Sequence, residues 1–571
     1  MARVRSLAGV VILILGLAAS SAAQGTGDIV GRVADSSGGV LPGVTVTATN
    51  LATNLSRTTV TSDTGDYTFT LLAIGVYEVK TELAGFKSQT ATVTLSTGDR
   101  ARVDVRLDLG TVSETVTVVG ETPLLQTDTS RVSSRLTAET VQNAPIVGRN
   151  IINMVQLTPG ASEGAANATI SGNRPDDRRQ TSAVSINGNP ENDNLQLVDG
   201  LDNTERVMGG MGIKPSIDAI QEVVVQTNLY SAENGRTLGG VINIITKSGS
   251  NQFRGSGFYF GRNQDFDAKD FFAVTKPLNH LNQFGGSLGG PLKSNRTFFF
   301  VDYDQGRIRK DQPFVVTVPT VRMRTGDFSE LSASIYDPLS SPRASFPGNL
   351  IPANRFDPTA AKLMSLYPMP NQPGLANNFA YNGEGWQTNQ TTDIRIDHRF
   401  TGKDSIFARY SYNLTNGLTP SQCPPAKTGD RTIDPTCNTN GTAGIYSGPY
   451  HTFAHNVVAN WLRVASPTLI TEVKYNFVRP LTSASRPSAN AADLAAYLGF
   501  KNVNYDSDPI TGGLPWFEMR PTSYAAIGDP TFIPMETEDH NHQIAGSITK
   551  MMGAHSIKMG GGIVLRMFGV Q

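Results

Sequence analysis

Between Thr392 and Phe400 apolar and polar side chains alternate without a break. Ile394, Ile396, His398 and Phe400 fall on one face of an extended chain, and Asp393, Arg395, Asp397 and Arg399 on the other. Successive side chains of a strand point to opposite faces, so this segment parts an apolar environment from a charged one across a single backbone. Ser405 to Tyr412 repeats the pattern with Ile406, Ala408, Tyr410 and Tyr412 aligned, and Thr401-Gly402-Lys403-Asp404 is short enough to turn a hairpin. Runs of the same kind occur at Phe253 to Gly261, Leu281 to Leu288, Arg296 to Asp304, His455 to Val464, Leu469 to Val478, His542 to Lys550 and Ser556 to Leu565. About nine strands of about ten residues each, apolar on one side, are what a transmembrane β-barrel offers to lipid and lumen. A soluble sandwich alternates too, but short turns set against connections as long as Gln305 to Thr391 favour the barrel.

The start of the chain fits export. Arg3 and Arg5 precede an apolar stretch from Leu7 to Ala19, and Ser21-Ala22-Ala23 offers small residues for cleavage before Gln24, so residues 1–23 read as a secretory signal. An uncleaved anchor is the alternative, but the stretch falls short of the ~20 residues of a spanning helix, and no other segment comes near that length. Any membrane-spanning form must then close its backbone hydrogen bonds as a barrel. A net charge of -1 with scattered Lys and Arg gives no footprint for nucleic acid. Cys423 and Cys437 stand in a Pro, Thr, Asn and Gly-rich stretch of an exported chain, where a loop disulfide would stabilise by roughly 3 kcal/mol. Two thiols cannot complete a zinc site, and neither a metal nor a cofactor is expected.

Residues 24–109 read as a small β-sandwich. Alternation at Val44 to Ala48, Tyr67 to Phe69 and Tyr77 to Val79 is punctuated by Ser37-Gly38-Gly39, Leu41-Pro42-Gly43, Asp63-Thr64-Gly65 and Ala84-Gly85-Phe86. The order of these pieces, with Gly31-Arg32-Val33 before them and Gly75-Val76-Tyr77 between, resembles the carboxypeptidase-regulatory-like domain, which implies an extracytoplasmic scaffold without peptidase activity. The segment has no His and no Cys.

Residues 110–123 read as a linker. Within it Glu114, Thr115, Val116, Thr117, Val118 and Val119 resemble a TonB box, an extended segment that adds as a strand to a partner's sheet edge; the same residues could instead be the closing strand of the sandwich or a strand of the next unit. Residues 124–250 mix a short helix near Thr137 to Asn143 with polar loops and brief apolar strands. Ser185-Ile186-Asn187-Gly188, Leu197-Val198-Asp199-Gly200 and Ala219 to Val225 look like the plug of TonB-dependent receptors, although an Asp-Gly pair such as Asp199-Gly200 is usually an ordinary turn. Gly239-Gly240-Val241-Ile242-Asn243-Ile244-Ile245-Thr246-Lys247-Ser248-Gly249, followed by Phe253-Arg254-Gly255-Ser256-Gly257, resembles the plug-to-barrel junction of that family far more closely. Phe346 to Arg355 and Tyr367 to Asn371 resemble the first large loop of its Oar-like branch.

The resemblance implies a mainly β protein: an N-terminal β-sandwich, a small mixed α/β plug, and over residues 251–571 the first part of a large antiparallel barrel. Plugged transporters use about 22 strands, and the chain stops at Val570-Gln571 without a terminal aromatic residue, so a longer barrel is expected. It further implies import of a solute across the outer membrane, powered by the TonB inner-membrane complex, with the sandwich in the periplasm and the barrel in outer-membrane lipid. Oligosaccharide, peptide and metal chelate all remain open as solute, and a surface adhesion or binding protein without transport is the alternative. No enzyme is expected. Gly285-Gly286-Ser287-Leu288-Gly289 fits a nucleophile elbow by letter, but Gly290-Pro291 would break the helix that motif needs. His451 and His455 lack the glutamate of a zinc-protease helix, and His540 and His542 read as solvated loop residues.

Overall fold

The computed structural model describes residues 25–110, 115–119, 132–144, 149–163, 184–205, 210–269, 271, 275–437, 447–488, 493–503, 512–519, 524–529, 533–552 and 555–570. Residues 1–23 and Glu114 lie outside them.

Two sheets build the N-terminal sandwich. One places Asp66–Ala73 and Arg100–Arg102 beside Thr26–Asp35, with Val105–Leu107 also pairing to that strand. The other runs Ser56–Val60, Thr45–Asn50, Gly75–Glu82, Ser88–Leu95, Thr115–Val119. Alternation does the work: Val46 and Ala48 point into the core with Val79, Val93 and Phe69, while the threonines between them face out. Gly31 is required because a Cβ there would stand 1.9 Å from the Val103 carbonyl. Of the readings open for residues 115–119, this structure shows the strand of the sandwich: they form the edge strand of the second sheet, parallel to Ser88–Leu95 with Ser88 opposite Thr115 and Thr92 opposite Val119.

The plug is a five-stranded sheet in the order Val132–Thr137, Ile220–Asn228, Val241–Thr246, Leu195–Val198, Leu201–Asp202. The helix Ala138–Asn143 starts where Thr137 caps the Thr140 N–H, and Ile151–Val155 is capped by Asn150. Val241–Thr246 is buried on both faces, which explains its nearly continuous apolar reading.

Nine antiparallel strands follow in chain order: Arg254–Arg262, Asn279–Lys293, Thr297–Val316, Phe379–Arg399, Asp404–Thr419, Gly448–Ser466, Leu469–Ala484, Met535–Met552 and His555–Val570, called here the first to ninth barrel strands. All nine stand where the alternating runs do, but seven of them have 16 to 21 residues, not about ten. The extra length lies toward the long loops, where polar residues are mixed with rings such as Phe314, Phe379 and Trp386 and the lipid-type alternation is no longer steady. Accordingly the connection expected from Gln305 to Thr391 shrinks to residues 317–378, and the fifth barrel strand runs on to Thr419.

On the outer face Ile394 and Ile396 are 43% and 44% exposed, while Asp393 and Arg395 on the inner face are 1% and 8%. Aromatic rings border this apolar band. Phe253 lies tilted against Phe299 and His398 edge-on to Phe400 at the short-turn end; Tyr410, Tyr412 and His455, then Phe477 and His542, group toward the long loops. Such girdles mark the two lipid–water interfaces of a barrel. Among the described residues no helix is long and apolar enough to cross a membrane. His540 and His542 are corrected from loop to strand: both sit on the eighth barrel strand, where His540 meets Glu538 (2.9 Å) and His542 the Tyr475 hydroxyl (2.9 Å).

The long loops fold together. Val318, Leu366, Cys423, Leu498 and Ile527, from three separate connections, share one apolar core. Cys423 and Cys437 are joined there by a disulfide with Cα atoms 5.4 Å apart. Asn371 of the first large loop exchanges two hydrogen bonds with Ala380 (both 2.8 Å), fixing the loop to the fourth strand.

Candidate functional site at the plug–barrel interface

One small unit reaches most of the sheet. The plug touches the first strand through Asp218 and Ser256 (3.0 Å), the fifth through Asp199 and Arg409 (2.8 Å), the seventh through Asp202 and Asn476 (2.9 Å) and the eighth through Asp202 and Gln543 (3.0 Å). The nine strands must therefore curl around the plug, and their inner faces carry the chemistry.

Asp199 and Gly200 both take positive φ (50° and 75°), the backbone of a two-residue hairpin turn that Asp-Gly favours. This turn joins Leu195–Val198 to Leu201–Asp202 and drives the Asp199 carboxylate toward the barrel wall. There the Thr246 N–H and hydroxyl donate to it (both 3.0 Å), Arg409 Nε donates at 2.8 Å, and Arg395 Nη1 stands 3.6 Å away. Burial opposes ionisation, but the two guanidiniums and the Thr246 hydrogen bonds prevail and hold this carboxyl below its ordinary value. Arg409 is wholly buried; its other nitrogens donate to Asn456 Oδ1 (2.9 Å) and to Ser411, which donates in turn to Asp393. Ser216 of the plug closes the chain, its N–H on Asp393 (3.3 Å) and its hydroxyl on Asp302 of the third strand. Arg395 lies over the Phe407 ring (4.1 Å) and donates to Asp397 (2.9 Å).

Asp199 is thus more than the ordinary turn residue expected of an Asp-Gly pair; it is the hub of a buried ionic network. Gly200 donates its N–H to Asn243 (3.1 Å), locking the turn to the next strand. Gly239 and Gly240 serve close approach: a Cβ on the first would stand 2.3 Å from Asn194 Oδ1, and on the second 2.6 Å from Ile186. The structure does not bring Thr115–Val119 to this site.

At the long-loop end a small cleft opens between plug and wall. Glu205 and Lys214 of the plug face Asn389, Thr415, Thr482 and Asp539 of the wall, a lining rich in neutral hydrogen-bonding groups and without an aromatic ring. No group of three or more metal ligands occurs among the described residues. Ser287 lies flat in the second strand, with its hydroxyl on that of Ser256 (2.8 Å), so no sharp elbow presents it.

Sequence reasoning missed Arg409, Asp302 and Asn456. The available signal was the charged inner face of Thr392 to Phe400, but which charge meets which is set by register and by the plug.

A plug seated inside a curled antiparallel sheet with a lipid-type outer face defines a class of protein. The chain belongs to the outer membrane beta barrel domain family, which matches residues 245–569; the carboxypeptidase regulatory-like domain matches residues 28–108. More particularly, it is similar to the TonB-dependent transporter Oar of Myxococcus xanthus, 29% identical over 313 residues that cover 53% of this chain and 29% of that protein. The chain thus spans less than a third of that relative's length. Solved structures similar to it include the ferric enterobactin receptor PfeA of Pseudomonas aeruginosa (12% identity, TM-score 0.41, 76% of this chain and 48% of that one) and the outer membrane transporter YddB of Escherichia coli (11%, 0.44, 76% and 48%). At those scores they carry no argument about what this chain binds.

Proposed function

We propose that this chain supplies the periplasmic domain, the plug and part of the barrel of an outer-membrane importer driven by the TonB inner-membrane complex. The observation that carries this reading is the plug–wall interface. It is charged and hydrogen-bonded around Asp199, Arg409, Asp393 and Ser216, which fastens the plug to one side of the wall, while the separate polar contacts of Asp202 with Asn476 and Gln543 can be remade with water when the plug moves. The short turns face the periplasm on this reading, because Asn251 donates to the Ala52 carbonyl of the sandwich (3.0 Å) at that end. The loop cap and the cleft then face the exterior and receive the solute. Its class stays open among oligosaccharide, peptide and metal chelate, and similarity to a named transporter does not choose between them.

Glu114 to Val119 is the proposed coupling segment. Deleting it from the full-length protein tests the reading: surface binding of solute survives and energised uptake is lost. Unchanged uptake would sink the coupling role of this segment, and solute binding with no energised uptake even in the intact protein would leave the adhesion alternative standing.

A further inference from the structure

The outward face of the second to fourth barrel strands changes character toward the long loops. Leu288, Val301 and Ile394 share one register row of the apolar band. The rings of Tyr259, Phe284 and Tyr303 follow on the same face, with Tyr259 and Tyr303 66% and 37% exposed. Their hydroxyls reach onward: Tyr259 donates to Asn282 Oδ1 (2.6 Å) and Tyr303 to Gln305 Oε1 (2.9 Å). Rings whose polar ends turn away from an apolar band mark the level where hydrocarbon gives way to headgroups.

Beyond the rings two more register rows cross the same three strands. Asn282, Arg307 and Thr388 form one, and His280, Arg309 and Trp386 the other, a patch of about 10 by 7 Å at strand spacing. All six side chains can donate a hydrogen bond and none is a carboxylate. Arg307 and Arg309 are exposed, and among the described residues neither has a protein acceptor; Arg307 lies near the Phe284 ring (5.9 Å). Every other arginine of the nine strands donates to a protein oxygen, as Arg262 does to Asp267 (3.0 Å), Arg463 to Asp404 (3.2 Å) and Arg479 to Glu538 (2.8 Å). His280 Nε2 also has no protein partner, and Asn282, whose carbonyl is used by Tyr259, keeps its amide N–H groups to give. Asp311 and Glu384 face one another in the next row and bound the patch on the loop side; Asp311 accepts from the Leu278 N–H (3.2 Å), and neither acid pairs with Arg309. Their charge repels an anion from that side and leaves approach from the bilayer.

We infer that this patch is a headgroup site for an anionic, phosphate-bearing lipid, whose phosphate is gripped by Arg307 and Arg309 while the Phe284 and Trp386 rings border its apolar part. A guanidinium presents a planar fork of donors that matches phosphate oxygens, and two of them on one strand face outweigh what either offers alone. Position selects a lipid over free phosphate: an acyl chain held here runs down over Leu288 and Ile394, which are 46% and 43% exposed, and covers apolar surface that a free ion leaves bare. With the long loops outside, as proposed above, the lipid belongs to the outer leaflet; that assignment rests on the orientation, whereas the site does not depend on transport.

The test measures binding of phosphatidylglycerol and of phosphatidylcholine to the full-length protein in neutral detergent, by native mass spectrometry. Phosphatidylglycerol should bind at least about ten-fold more tightly, and Arg307→Gln together with Arg309→Gln should remove that preference. Arg463→Gln, at an exposed arginine already paired with Asp404 at the short-turn end, should keep it. Equal affinity for the two lipids, or a preference that survives in the double variant, would overturn the site. Displacement of phosphatidylglycerol by inorganic phosphate at the same concentration would overturn the choice of a lipid. If the double variant does not fold, phenylglyoxal labelling of the unmodified protein decides instead. Phosphatidylglycerol, but not phosphatidylcholine, should slow modification of Arg307 and Arg309 by at least about five-fold and leave Arg463 unchanged; unchanged rates at Arg307 and Arg309 refute the proposal. Neither measurement involves uptake, so failure of the transport reading does not imitate failure of the lipid site.

Discussion

The two sides of the plug are held by the same kinds of residue and in different ways. Against the third to fifth strands, Asp199 meets two arginines and Thr246, and each acid and amide hands its hydrogen bond to the next as far as Asp302. Against the sixth to eighth strands, Lys474 and Glu472 are equally buried, yet the polar atoms around them end without protein partners. Burial does not distinguish the sides; the number of cations on one carboxylate does, two arginines at Asp199 against one lysine at Glu472. A closed network in a low-dielectric site is rigid because removing any member strands the others.

That contrast can be broken most directly at its strongest point. Arg409→Met removes the partner of a buried carboxylate and is expected to destabilise plug docking by about 3–5 kcal/mol, read as a fall in the urea concentration that releases the plug to protease. A loss below about 1 kcal/mol would put the fastening elsewhere. Replacing Cys423 and Cys437 together by serine should cost the loop cap about 3 kcal/mol on the chain-entropy account, seen as faster cleavage within residues 420–447 while the strands below keep their protection. Lys474→Met, the counterpart of the first substitution across the plug, leaves the equally buried Glu472 without its cation and should cost about 3 kcal/mol, less than Arg409→Met because one ion pair is broken rather than two. If it costs as much as Arg409→Met, the two sides are alike and the comparison fails.

Acid gives the smallest and most selective effect. The folded-state value of Asp199 lies below its ordinary 3.8, so its contribution is complete above the carboxylate range and is lost as pH falls through the folded value. Plug release should therefore be flat with pH near neutrality and ease only in strong acid. An Asp199→Asn protein should lack that acid limb.

Much of the architecture is legible in the chain. Ile394 and Ile396 out, Asp393 and Arg395 in, follow from period-two alternation alone, as do all nine strand positions. The strand ends are not, because beyond the apolar band polar residues are mixed with rings such as Phe314 and Trp386 and the alternation is no longer steady. Thr115–Val119 shows the other limit. A β-prone segment carries no mark of which sheet edge will take it, and here it is the edge beside Ser88–Leu95.

At the interface the division is sharper. The sequence by itself determined the units, the turn at Asp199-Gly200 and the presence of charge on one face of each strand, since these depend on local backbone preference and on side-chain period. Only the tertiary structure decided that Asp199 finds Arg409, 210 residues away, while Ser547 and Thr549 find no protein partner. Partnership across a lumen depends on how neighbouring strands register and on where the plug comes to rest, and neither distance is written in the residues that meet.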